Sequence, residues 1–129
     1  MNKVIVDTSA WIDFFRAPAG GIGDEVATLI EQDRAVLVGP VLAELLQGLK
    51  SRREADTLNE LFSILPYLET TRDDWENAGD LLRRMRHNGI TMPLSDTLIA
   101  SIAKKHGHAV LTLDKHFEHL EIPLHPARN

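Results

Sequence analysis

Short apolar runs alternate with amphipathic stretches from one end of the chain to the other. Lys3-Val4-Ile5-Val6 opens the series, an unbroken β-branched run of the kind found in a parallel strand covered on both faces. Asp7-Thr8-Ser9 ends it with cap-type residues for a helix over Ala10 to Arg16, which Pro18 and the cluster Gly20, Gly21, Gly23 then break. Val26, Leu29 and Ile30 share one face of a second helix, predicted from Asp24 to Gln32. Ala35 to Val38 reads as another buried strand, and Gly39-Pro40 turns it into a helix that runs through Glu44 to Leu49.

The middle of the chain is helical. Ser51-x-x-Glu54 has the form of a capping box, followed by Ala55, Leu58, Leu61, Phe62 and Leu65 up to a stop at Pro66. Tyr67 to Thr70 suits a short strand. Thr71-x-x-Asp74 opens the next helix, whose Trp75, Ala78, Leu82 and Met85 recur at helical spacing before His87-Asn88-Gly89 ends it. A helix from Leu94 to His106, stopped by Gly107, leads into a strand over Ala109 to Leu113, and Ile122 to His125 suits a last edge strand. Strands alternating with helices predict an α/β fold: one mainly parallel central sheet, right-handed crossovers and flanking helices, with the two central helical segments as a side layer.

Composition bounds this picture without redirecting it. The 129 residues suit one domain spanning 1–129, and 43% hydrophobic against 26% charged residues is an ordinary globular balance. The absence of cysteine excludes disulfides, thiolate metal sites and cysteine catalysis. The first apolar run is cut short by Asp7, and no run reaches the roughly 18 residues of a membrane helix. A cytoplasmic location is the resulting expectation. The net charge of −5 argues against indiscriminate binding to phosphate backbones. If four acids are gathered around metal ions, however, the remainder of the chain is nearly neutral.

Four acids do fall together on this outline. Asp7 follows the first strand, Glu44 lies a turn beyond the exit from the second, Asp114 follows the strand Ala109 to Leu113, and Asp96 opens the helix leading into that strand. Helices of right-handed crossovers start at the carboxyl edge of the sheet, so all four are expected on that rim, where open α/β folds bind ligands. Oxygen donors without cysteine or an evident histidine partner suit a hard ion, Mg²⁺ or Mn²⁺. Two such ions about 3.5–4 Å apart serve in-line phosphodiester displacement.

Four sequence blocks carry a resemblance. Val4-Ile5-Val6-Asp7-Thr8-Ser9-Ala10-Trp11-Ile12 and Pro40-Val41-Leu42-Ala43-Glu44-Leu45-Leu46-Gln47-Gly48 resemble the opening motifs of PIN-domain ribonucleases. Ile90-Thr91-Met92-Pro93-Leu94-Ser95-Asp96-Thr97-Leu98-Ile99-Ala100 and Ala109-Val110-Leu111-Thr112-Leu113-Asp114 continue the likeness in the family's order. Within that family the chain most resembles the VapC toxins of type II toxin–antitoxin modules. The resemblance implies that Asp7, Glu44, Asp96 and Asp114 hold one or two Mg²⁺ ions and activate a water that cleaves RNA, leaving a 5′-phosphate and a 3′-hydroxyl. It implies that Asp7 and Asp96 are direct ligands, that Glu44 is a ligand or positions the water, and that Asp114 acts through water or at a second ion. Ser9 and Thr112 match supporting hydroxyl positions. It also implies a small VapB-type antitoxin as partner, a homodimer, and a heterotetramer or larger assembly with the antitoxin. An antitoxin segment is expected in a groove around Trp11, Leu45, Leu46, Leu49, Leu58 and Phe62.

The chain departs from the pattern at Leu113, where many relatives have arginine, and at His116, where many have a further acid. Asp114 is thereby left as the sole acid of the last block. His106-Gly107-His108 and His116-x-x-His119 read as solvated histidines rather than a zinc site, there being no cysteine to complete one. Trp11 and Trp75 read as core or interface packing. Arg83, Arg84, Arg86 and His87 form a basic cluster whose default is a solvated helix face, with steering of RNA as the functional reading. A receiver-like signalling domain would need adjacent acids after the first strand and a late lysine, but Thr8 follows Asp7 and no lysine sits in the last strand. A non-catalytic PIN-like scaffold is disfavoured by the presence of all four acids.

Overall fold

The computed structural model describes residues 2–16 and 20–126. Pro18, expected to break the first helix, lies outside the described residues. Four strands form one sheet: β1 (Val4–Val6), β2 (Ala35–Val38), β3 (Tyr67–Leu68) and β4 (Ala109–Leu111). Their order is β3-β2-β1-β4, with every pair parallel. Val4 stands opposite both Ala35 and Ala109, so β1 is flanked on each side and all three of its residues are buried. The chain runs outward from β1 to β2 to β3 and then returns to the far side of β1. The direction of winding thus reverses between β1 and β4, and the carboxyl ends of two adjacent strands open onto a crevice there.

Helices α1 (Thr8–Arg16), α2 (Ile22–Glu31), α3 (Gly39–Gln47), α4 (Arg52–Phe62), α5 (Arg72–His87) and α6 (Leu94–His106) surround the sheet. The central one is α6: Asp96 through Ala103 are all buried, so it is enclosed on nearly every side rather than amphipathic. Packing between α1 and α2 is close because of Gly23, where an added Cβ would lie 3.0 Å from the Phe14 backbone. Gly107 ends α6 in a left-handed conformation at φ 68°, a position that favours glycine. Of the two expected caps one is a complete capping box and one is half formed, the Glu54 carboxylate taking the Lys50 N–H in place of that of Ser51. Ser51 accepts from the Glu54 N–H, and Thr71 and Asp74 satisfy each other's backbone N–H groups in a complete capping box.

Several boundaries differ from expectation for local reasons. Thr8 and Ser9 belong to α1, because the Asp7 carbonyl already accepts from the N–H groups of Ala10 and Trp11. Helix α2 begins two residues early at Ile22, α3 stops at Gln47, and α4 stops at Phe62 instead of Leu65. Strand β4 ends at Leu111, and Thr112 and Leu113 leave the sheet to serve the rim. The final edge strand reduces to a single parallel bridge between Val110 and Leu124.

Trp11 is fully buried and meets Phe14 and Phe62 edge-on at 5.7 and 5.1 Å between ring centroids. Trp75 is not core: it is 51% exposed, and Asp74 takes the inward place at that end of α5, while Ala78 and Met85 are buried and Leu82 packs against the core as expected. Asp74 sits inside as the cap acceptor, with Lys105 Nζ 3.5 Å from its Oδ1. The apolar surface assigned to a groove is also smaller than expected, since Trp11, Leu45 and Leu58 are core. What remains open on α1 and α3 is Ile12, Phe15 and Leu46, with Leu49 and Phe62 half-buried behind.

Candidate active site

The crevice between β1 and β4 is built from chain exits. Asp7 is the residue after β1, its N–H held by the Leu111 carbonyl at 2.9 Å, and it stands at the amino end of α1, where backbone N–H groups favour a negative charge. Its carboxylate is 5% exposed as a residue and is fixed by two hydroxyls: Thr112 Oγ1 donates to Oδ2 at 2.7 Å and Ser9 Oγ at 3.1 Å. Each hydroxyl is used again. Ser9 Oγ accepts from the Leu113 N–H at 3.0 Å, and Thr112 Oγ1 accepts from the Asp114 N–H at 2.9 Å. The two oxygens lie 3.3 Å apart. The result is a compact lattice that ties the end of the first strand to the end of the last.

The other acids enter from helices. Glu44, in the second turn of α3, accepts from Thr8 Oγ1 at 2.9 Å. Asp96, in the first turn of α6, is 7% exposed, and its Oδ2 is buried with no hydrogen-bond partner among the described residues. Burial, and then the negative charges of Asp7, Asp114 and Glu44, push its pKa up from 3.8 to about 6, while His116 opposes them. Three of the sequence-predicted acids thus act on the fourth, Asp96, and Thr112 links Asp7 to the Asp114 backbone.

A buried carboxylate oxygen without a donor, surrounded by like charges, is costly for a protein to keep unless a cation occupies its neighbourhood. One ligand atom from each of Asp96, Asp114 and His116 falls within a common 4.8 Å. The donors fit a divalent cation, and metal dependence is general among PIN nucleases.

Two participants escaped the sequence reading. Thr8 appeared only as a cap residue; its partner Glu44 is 36 positions away, and no local signal announces the pairing. His116 corrects the expectation that no histidine partners the acids: its Nδ1 lies 3.1 Å from Asp114 Oδ1, and its backbone N–H donates to the same oxygen at 2.9 Å. Its position two residues after Asp114, where many relatives carry an acid, was the available signal. His125 pairs elsewhere, its Nε2 2.7 Å from Glu25 Oε1. His106 and His108 stack on each other at 5.6 Å, and burial and then the neighbouring positive groups hold His108 below the usual histidine range. In the basic cluster, Arg83 pairs with Asp80 at 3.2 Å on the exposed face of α5.

The PIN domain family model matches residues 4–123. The ribonuclease VapC11 of Mycobacterium tuberculosis is 31% identical over 119 residues, covering 89% of each chain. Among solved structures, DNA-bound VapBC from Salmonella typhimurium superposes with a TM-score of 0.79 at 22% identity, covering 97% of this chain and 98% of that one. VapC20 of Mycobacterium tuberculosis, described as a sarcin-ricin loop cleaving toxin, gives 0.69 at 20% identity over 93% and 96% of the two chains. The chain belongs to the PIN-domain family and, within it, to the VapC ribonucleases.

Proposed function

We propose that this chain is a cytoplasmic, Mg²⁺-dependent endoribonuclease and the toxin of a type II toxin–antitoxin pair. The observation that carries the reading is the convergence of Asp7, Glu44, Asp96 and Asp114 at one rim, with an oxygen of Asp96 buried and unpartnered. Asp7 and Asp96 would hold one ion directly, and Asp114 would join through water or at a second ion that it shares with Asp96. Bound there, Mg²⁺ supplies positive charge at the phosphate and a water that loses its proton more readily.

The protein's own part is orientation. Ser9 and Thr112 keep Asp7 from rotating, so one carboxylate orientation faces the crevice. Thr8 fixes one oxygen of Glu44 and leaves the other to position the attacking water and take its proton. Cleavage on this scheme leaves a 5′-phosphate and a 3′-hydroxyl.

The same reading assigns a VapB-type antitoxin and a second copy of the chain as partners. Ile12, Phe15 and Leu46 are large apolar side chains left open on adjoining helices, and they suit an apolar antitoxin segment. No described helix is long and apolar enough to cross a membrane.

The test is RNA cleavage by the purified chain in Mg²⁺ and in EDTA, with mapping of the new 5′ ends. Cleavage in Mg²⁺ that ceases in EDTA and yields 5′-phosphates is expected. A folded protein that cleaves no RNA in either condition, or cleaves equally in both, overturns the reading.

A further inference from the structure

We infer that His116 is a nitrogen ligand to a cation shared by Asp96 and Asp114, the second-ion position named above, and that it tilts this position from Mg²⁺ towards a divalent first-row transition ion such as Mn²⁺. The inference rests on the metal-site reading above and concerns which ion the site prefers. Three lines carry it: the spacing of the ligand atoms beside an unpartnered Asp96 oxygen, the histidine's placement, and donor chemistry. The ligand atoms of Asp96, Asp114 and His116 lie within 4.8 Å of one another. Ligands bound to one small divalent ion stand at most about 4.5 Å apart, so a shift of a fraction of an ångström completes the set. Asp96 contributes a buried oxygen with no partner, which points to a bound cation rather than to an internal hydrogen bond.

The second of these, the histidine's placement, is a property of the local backbone. The short 3₁₀ turn Lys115–His119 begins just after Asp114, and the Asp114 carboxylate caps it by accepting the His116 N–H at 2.9 Å. That cap brings the imidazole back beside its own acceptor, with Nδ1 3.1 Å from Oδ1. The ring is half open, its side chain 56% exposed against 36% for Asp114, so an entering ion reaches both without unfolding the turn. Phe117, fully buried one residue later, anchors the turn in the core and limits its freedom to swing away.

The third step is donor chemistry. An oxygen-only set suits Mg²⁺, which binds imidazole poorly, whereas replacing one carboxylate by a neutral nitrogen favours transition ions and removes one negative charge from the site. A nitrogen donor at position 116 thus changes which ion the site prefers.

The experiment is calorimetric titration of the native chain, His116→Ala and His116→Asp with MnCl₂ and with MgCl₂, together with pulsed EPR of the Mn²⁺-loaded proteins. Expected for the native chain are tighter binding of Mn²⁺ than of Mg²⁺ and a ¹⁴N coupling in the EPR. His116→Ala should weaken Mn²⁺ by about tenfold or more, leave Mg²⁺ within about twofold and abolish the ¹⁴N coupling. His116→Asp should narrow the ratio between the two ions. A ratio unchanged in His116→Ala, or a ¹⁴N coupling that persists there, overturns the role of His116 while leaving the metal site standing. Binding of neither ion to the native, folded chain overturns the metal site itself and this inference with it.

Discussion

Thr112 Oγ1 lies 2.7 Å from Asp7 Oδ2, joining residues 105 positions apart across the ends of two parallel strands. The same oxygen accepts the Asp114 N–H, so one hydroxyl sets the position of two acids. Thr112→Val keeps the shape and removes both bonds. It should cost about 1–3 kcal/mol through the unmet carboxylate and N–H, and weaken metal binding by about tenfold. Thr112→Ser should restore most of both. Chemical denaturation and metal titration of the two variants give the comparison; a Val variant with native metal affinity would show that Thr112 positions nothing.

Asp96 gives the metal-free protein a signature in pH. Its folded pKa of about 6 lies above its ordinary 3.8, so the folded state holds the proton more tightly. The stabilising effect of that proton is complete below about 3.8 and is lost as pH rises through about 6. In EDTA the native chain should be more stable at pH 5 than at pH 7.5, by about 1.4 kcal/mol, and melt correspondingly higher. Asp96→Asn should melt higher than the native chain at pH 7.5 and respond much less to pH. Millimolar Mg²⁺ should stabilise the native chain more than the variant. Equal melting of both proteins in EDTA at pH 7.5 would mean that Asp96 does not feel its neighbours.

Asp7→Asn and Asp96→Asn each replace a charged oxygen by a neutral amide of the same shape. RNA cleavage should fall by two or more orders of magnitude in either, with circular dichroism unchanged. A folded Asp96→Asn protein that cleaves RNA at near-native rate would remove the acid cluster from the chemistry.

Gly107→Ala tests a structural position distant from the acids. At φ 68° any side chain is strained, so the variant should lose about 1 kcal/mol. Its cleavage rate at a temperature well below melting should stay native. A drop in rate without a drop in stability would show that the α6–β4 turn reaches the site.

Much of this architecture was legible in the residues because the signals were local and redundant. Val4–Val6 and Ala35–Val38 are apolar at every position, as strands buried on both faces must be, and Ser51 and Thr71 announce their helices through side chains that cap them. The convergence of the four acids followed from topology, since each stands beside a strand exit or a helix entry. Of the face predicted for α5, Ala78, Leu82 and Met85 do meet the core, and only Trp75 misses it, because the tightly held Asp74 takes the inward place at that end of the helix. The Thr8–Glu44 bond was invisible for a different reason: it depends on how α1 and α3 approach in space, and neither residue carries a local mark of the other. His116 was visible but read as a missing acid, because its value depends on a turn that bends it back onto Asp114.

The placement of β1 between β2 and β4 also has a consequence for the order in which a ribosome makes this chain. Asp7 is made 105 residues before Thr112, whose hydroxyl holds both it and the Asp114 N–H. Until β4 docks against β1, the growing chain has an open sheet edge and an incomplete crevice. On the proposed assignment of the site, a chain that ends before β4 lacks Thr112 and Asp114 and should not cleave RNA.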